Sequence, residues 1–266
     1  MIAQMLQLKK SIRLESLRQP FKKAIVTAAS LGADGIEING LTEIRAPEMS
    51  RTAVRHLRKM LADLNLKVSS IYFPTRRGYG VTDDLDRRID ATKAAMSMAF
   101  DLGCSVVVNR IGRVPNDVEH PSWITMVQVL TDLGNFSHKA GAWLVARTGS
   151  EEGATLKGLI DALPVHSIGV DFDPGDFVIN GFSPTKAMKI LGEHVMSFRA
   201  RDAVQDLSLG RGVEVQLGRG SVDWASLLGT LEEYNYSGFL TVERESEQNS
   251  IAEVGQAIEY LTNLFR

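Results

Sequence analysis

Residues 30–38 read SLGADGIEI, residues 101–108 read DLGCSVVV and residues 139–146 read KAGAWLVA. In each, a helix-period stretch ends on a glycine and passes within a few residues into a short apolar run. That is the helix C-cap glycine set just before a chain reversal. The runs themselves are Gly35–Ile38, Ser105–Asn109 and Ala142–Ala146, and outward from them similar runs recur at Val68–Phe73, Ile168–Phe172, Val195–Ala200 and Phe239–Val242. A less regular one lies near Leu6–Leu14. Amphipathic segments separate them: Phe21–Leu31, Ala46–Leu64, Asp84–Leu102, Ser122–Ala140, Leu156–Leu163, Ser183–Leu191, Trp224–Tyr234 and Ile251–Phe265. Strands alternating with helices pair in parallel through right-handed crossovers. Eight such units in 266 residues predict a single α/β domain over residues 1–266, a closed (β/α)8 TIM barrel. No glycine-rich dinucleotide or P-loop signature follows a strand, and no Pro/Gly/Ser-rich linker divides the chain.

Composition narrows the function. At 44% hydrophobic and 23% charged residues the chain reads as an ordinary globular protein. Its net charge of −2 gives no general attraction to nucleic acid or an anionic membrane. The lone Cys104 excludes an internal disulfide and any multi-cysteine metal site, which fits a reducing cytosol. No signal-peptide pattern or uninterrupted apolar span of about 20 residues is present. The expectation is a cytoplasmic protein acting on a small molecule.

In such barrels the site lies at the C-terminal ends of the strands. The residues there are Glu37, Phe73 and Pro74, Asn109 and Arg110, Arg147, Asp173 and Asp176, Arg199, Arg201 and Asp202, and Glu243 and Glu245. Arg113 and the glycine-rich segment of residues 210–220, carrying Arg211 and Arg219, are secondary candidates, the latter as a small hairpin or flap over the pocket. Trp143, Trp224 and Cys104 read as core, and none of the five histidines falls at a C-terminal strand end.

The runs GADGIEI, DLGCSVVVNRIGRVP, VARTGSEEG, IGVDFDPGD, SFRARDAV, LGRGSVDW and TVERE together resemble the xylose isomerase-like TIM barrels, the sugar phosphate isomerase/epimerase group related to endonuclease IV. The resemblance covers roughly residues 14–265. It implies a Mn, Mg or Co ion held by a Glu, an Asp, a His and a Glu after strands five to eight, the two Glu relaying a proton beside a sugar carbonyl. Two positions match, Asp173 and Glu243, and Glu37 matches the family's acidic residue after strand two. The other two ligand positions hold Arg147 and Arg199. The absence of strand-end histidines argues against the trinuclear zinc site of the endonuclease branch.

This departure has an electrostatic consequence. Asp173 and Glu243 balance Arg147 and Arg199 with no ion present. A divalent ion about 4 Å from two guanidiniums is opposed by roughly 16 kcal/mol at an effective dielectric of about 20, of the same order as the 10–16 kcal/mol with which strong zinc sites bind. The expectation is therefore no metal and no other cofactor. Three roles stay open for the arginines: an internal salt-bridge network onto Asp173 and Glu243, a grip on a carboxylate or phosphate, or solvent exposure. Candidate catalytic residues are Glu243 and Glu37. Candidate substrate-binding residues are Arg147, Arg199, Asp173, Asp176, Asn109 and Arg219. The readings are a metal-free isomerase or epimerase, a non-catalytic barrel binding a small anionic or sugar-like ligand, or a structural barrel. A homo-oligomer is compatible with the resemblance, though no stretch marks an interface.

Overall fold

The computed structural model describes residues 8–206, 211–245 and 250–264. Strands β1 (Lys9–Arg13), β2 (Gly35–Asn39), β3 (Lys67–Tyr72), β4 (Val106–Asn109), β5 (Trp143–Arg147), β6 (Gly169–Phe172), β7 (Val195–Ala200) and β10 (Phe239–Val242) close into one parallel barrel, ordered β1-β10-β7-β6-β5-β4-β3-β2. Helices α1 (Phe21–Ser30), α2 (Arg51–Asp63), α3 (Leu85–Asp101), α4 (Pro121–Ala140), α5 (Gly153–Asp161), α7 (Pro184–Leu191), α8 (Trp224–Glu233) and α9 (Ser250–Leu264) connect successive strands or follow the last one. The eight-unit reading holds. Its outermost residues, Leu6 and Phe265, lie outside the described part of the chain.

The capping chemistry is where the sequence put it. Gly141 ends α4 in the left-handed region, φ +72°, and its N–H donates to the Ser137 carbonyl. A β-carbon there would strain the backbone and meet the Phe100 ring.

One element was not read from the sequence, and the hairpin expected within 210–220 begins earlier in the chain than expected. A short helix α6 (Pro174–Ile179) follows β6, its first turn capped by the Asp173 carboxylate accepting from the Asp176 N–H at 3.0 Å. Strands β8 (Asp202–Asp206) and β9 (Arg211–Val215) form an antiparallel hairpin between β7 and α8. The 210–220 segment is thus the second strand of this hairpin plus the turn after it, except Gly210, which lies outside the described residues.

Strand alternation sorts the side chains into two regions. Ile12, Ile36, Ile38, Val170, Phe172, Phe198, Leu240 and Val242 are buried in the apolar core shared with the helices. There Phe172 stacks on Phe198 with centroids 5.5 Å apart, and Phe198 meets Trp224 at 6.2 Å. The intervening positions face the lumen, and at its C-terminal end they are charged: Arg13, Glu37, Arg147, Asp171, Arg199, Arg201 and Glu243 are held together by hydrogen bonds across the barrel. Branched aliphatic side chains dominate most barrel interiors; here an ionic cluster takes that place. Among the described residues, no helix is long and apolar enough to cross a membrane.

Candidate functional site

Arg199 is fully buried in β7 and spans the lumen. Its Nη1 and Nη2 donate to Glu37 Oε1 and Oε2 at 2.6 and 2.7 Å, its Nε to Asp171 Oδ2 at 2.8 Å, and its Nη1 also to Glu243 Oε2 at 3.1 Å. Glu37 sits on β2, three strands from β7 around the wall, so this fork ties well-separated strands across the lumen. Ser70 Oγ completes the Glu37 shell at 2.6 Å.

Arg147 stands at the end of β5. It donates from Nη2 to Asp173 Oδ2 at 2.6 Å, from Nη1 to Glu243 Oε2 at 2.9 Å and Oε1 at 3.2 Å, and from Nε to Asp176 Oδ2 at 3.3 Å. Arg201 Nη1 reaches Asp173 Oδ2 at 2.8 Å and Asp176 Oδ1 at 2.7 Å. Arg13, on β1, donates to Glu243 Oε1 at 2.9 Å and stacks over the Tyr72 ring at 3.9 Å. Of the three roles left open for Arg147 and Arg199, the internal network is the one observed, with a pairing different from a fork of both onto Asp173 and Glu243. Arg147 bridges Asp173 and Glu243, whereas Arg199 turns to Glu37 and Asp171 as well as Glu243.

Arginines 13, 147, 199 and 201 face Glu37, Asp171, Asp173, Asp176 and Glu243, leaving a net charge of −1 where the two residues of each sign singled out in the sequence had summed to zero. Burial alone would raise the Glu243 carboxyl, but Arg147, Arg13, Arg199 and Arg201 outweigh it and hold it well below the usual carboxylate range. Asp173 is lowered against the same burial, chiefly by Arg201 and Arg147. Asp171 goes the other way: burial raises it despite Arg199, and among the described residues its Oδ1 makes no hydrogen bond of normal geometry. Burial and the neighbouring Asp173 raise Asp176. For Arg147, Arg199 and Arg201, burial opposes the charged form, but the surrounding carboxylates overcome it and keep all three protonated.

The remaining candidates scatter. Asn109 is buried but serves the backbone, its Nδ2 donating to the Phe73 carbonyl at 2.6 Å and its Oδ1 accepting from Thr75 Oγ1 at 3.2 Å. Arg219 is exposed in the turn after β9, outside the network. Asp202 organises that turn, accepting from the N–H groups of Ala203, Gly218, Gly220 and Val222 and from Trp224 Nε1 at 2.9–3.2 Å. Arg113 and Arg211 are exposed. Cys104 is buried, its thiol pushed up to about 12 by that burial. Trp143 is only partly buried and lines a cleft at the N-terminal end of the strands rather than the core.

Above the ionic cluster the mouth holds a cavity of about 180 Å³, lined by Arg13, Tyr72, Arg110, Arg244 and Glu243 among others. Arg18 and Arg110, both exposed, stand at its edge. Arg18 Nη2 donates to the Glu245 carbonyl at 3.0 Å, and the Arg110 guanidinium has no hydrogen bond or ion pair among the described residues.

Sequence reasoning missed Asp171, Ser70 and Arg13. The signal was available: Asp171 stands two residues before Asp173, and a strand returns to one face every second residue.

The sequence profile described as Xylose isomerase-like TIM barrel matches residues 25–264. No curated protein matches the sequence. Among solved structures, a xylose isomerase domain protein from Planctomyces limnophilus is 24% identical, with TM-score 0.82 over 90% of this chain and 91% of that one. A xylose isomerase-like TIM barrel protein from Mycobacterium smegmatis, solved in complex with magnesium, is 15% identical, with TM-score 0.77 over 97% and 96%. A D-psicose 3-epimerase from Clostridium cellulolyticum H10, solved with D-tagatose, is 12% identical, with TM-score 0.78 over 97% and 100%. At these identities the likeness is one of fold.

Proposed function

The chain belongs to the xylose isomerase-like TIM barrel family, and from that membership we propose that its barrel mouth binds a small anionic or sugar-like ligand without a metal ion and without the proton relay of its isomerase and epimerase relatives. The observation that carries this reading is the state of Glu243. Both its oxygens accept hydrogen bonds from guanidinium groups, of Arg13, Arg147 and Arg199, at 2.9–3.2 Å.

The donor set does not fit a divalent ion. Asp173 Oδ2 already accepts from Arg147 and Arg201, and its Oδ1 accepts the Asp176 N–H. To coordinate a cation these carboxylates would have to release fully charged, buried guanidiniums that cannot deprotonate. Among the described residues, no group of three or more His, Cys, Asp or Glu side chains is arranged to hold a metal.

General-base chemistry is disfavoured for the same reason. A base needs a pKa near the working pH and reach to the proton it takes. Glu243 is held far below that pH, and Glu37 is fully buried beneath the Arg199 fork. Binding does not require either carboxylate to be free. Arg110 and Arg18 retain unused donors at the mouth, in the fork geometry that recognises carboxylate and phosphate. The cavity of about 180 Å³ suits a single small molecule.

The test pairs calorimetric titration with solvent-deuterium exchange over a panel of neutral ketoses and their phosphates, with and without Mn²⁺. Binding of at least one member, unchanged by Mn²⁺ and with no carbon-bound deuterium gained, is the expected result. Exchange that depends on Mn²⁺ would overturn the proposal.

A further inference from the structure

At the opposite end of the strands from the ionic cluster lies a roomier cavity, of about 580 Å³. It sits where β5 and β6 begin, under the loop joining α5 to β6. Its walls are largely apolar: Trp143, Leu163, Val165 and Met196. Val165 is 80% exposed, so apolar surface stands open to water here.

The cleft is built into the packing. Gly134 of α4 lets the Ser167 backbone approach so closely that an added β-carbon would lie 2.7 Å from its Cα. Ser167 also closes a turn, its N–H and Oγ both donating to the Pro164 carbonyl. Gly169 leaves room for the Met196 side chain, whose sulfur would lie 2.4 Å from a β-carbon. His138 meets the Trp143 ring edge-on, with centroids 6.3 Å apart at 88°, and so fixes the indole in the wall.

The carboxylates of the lining, Asp161 and Glu193, stand beside the imidazoles of His166 and His194. Asp161 is paired with Lys157 across one helical turn. Glu193 is 60% exposed, and among the described residues its one ion-pair contact is His194 Nε2 at 3.2 Å, an imidazole whose proton affinity is lowered by burial. At neutral pH that leaves one uncompensated carboxylate beside an aromatic wall. A cation over an indole face gains from the ring quadrupole, and a nearby carboxylate adds to it.

We propose that this cleft is a second binding site, taking a small organic cation with an apolar ring, of the arylalkyl-ammonium class. The ring fills the space between Trp143 and Met196, and the ammonium reaches Glu193. Volume and lining match those of pockets that take small ligands.

The experiment titrates phenethylammonium and phenylacetate, which share the ring and differ in charge, into the whole protein at pH 8. The readouts are the Trp143 indole and Met196 methyl resonances. Phenethylammonium should shift both and bind at least about fivefold tighter than phenylacetate. Glu193→Gln, a change at an exposed position, should bring the two affinities together. Equal or tighter binding of phenylacetate to the unaltered protein, or resonances that neither probe moves, would overturn the proposal.

Discussion

Arg199→Met probes the ionic cluster at its most connected point. The thioether keeps the length and apolar stem of the side chain while removing a guanidinium that serves three carboxylates. Glu243 keeps Arg13 and Arg147. Glu37 is left with Ser70 and with Arg13 Nε at 3.9 Å, and Asp171 loses its one ion pair. Both orphaned carboxylates are fully buried. Removing one partner of a buried pair costs about 3–5 kcal/mol, which for a chain of this size lowers Tm by on the order of 10 °C. The orphaned groups must then bind protons to stay buried. Their folded-state pKa values rise above the unfolded ones, so their contribution is intact below the unfolded pKa and is lost as pH rises. The Tm deficit should therefore be larger at pH 8 than at pH 5. Adding Glu37→Gln and Asp171→Asn should recover more than half of it, because replacing a whole buried pair is close to neutral. Circular-dichroism melts of the wild type, the single and the triple variants at both pH values measure this. A single variant within about 2 °C of wild type, or a triple variant no better than the single, would refute the reasoning.

Three further outcomes follow from other contacts. Burial pushes the Glu43 carboxyl up to about 7 while its Oε2 accepts the Asn39 N–H at 2.7 Å, so its contribution is complete below about 4.5 and is lost as pH rises through about 7. Glu43→Gln should therefore gain stability over the wild type at pH 8, by about 1–3 kcal/mol in urea unfolding, and little at pH 5. Asp202→Ala removes the acceptor of the turn after β9 and should cost about 3 kcal/mol or more, with faster hydrogen exchange at Gly218, Gly220 and Val222. Arg110→Ala should leave Tm unchanged yet weaken binding of any anionic ligand at the mouth by about tenfold in calorimetry.

The barrel was legible because its signals are local. SLGADGIEI and KAGAWLVA each carry a helix end, a turn and a strand within nine residues, and parallel pairing follows from their repetition. The family's acidic positions, Asp173 and Glu243, and the arginines at 147 and 199 were equally legible from motif and strand position. The partners of those arginines were not. Arg199 bonds Glu37 from 162 residues away, and Arg147 bonds Glu243 from 96. Such pairings depend on which inward-facing residues share a level of the barrel, and that is set by the stagger between strands. Two register shifts, between Ile36 and Glu37 and between Val170 and Asp171, fall beside the charged positions. Asn109 was a candidate as a strand-end residue and Arg219 as part of a glycine-rich segment, and the fold places both outside the ionic cluster. Such positions also hold turns together, as Asn109 does.

Diffraction from crystals grown in millimolar Mn²⁺, recorded at a wavelength where manganese scatters anomalously, tests the arginine-for-metal exchange most directly. No anomalous peak is expected between Asp173 and Glu243, with the Arg147 guanidinium lying between the two carboxylates. A manganese ion coordinated by both, with Arg147 swung away, would contradict it.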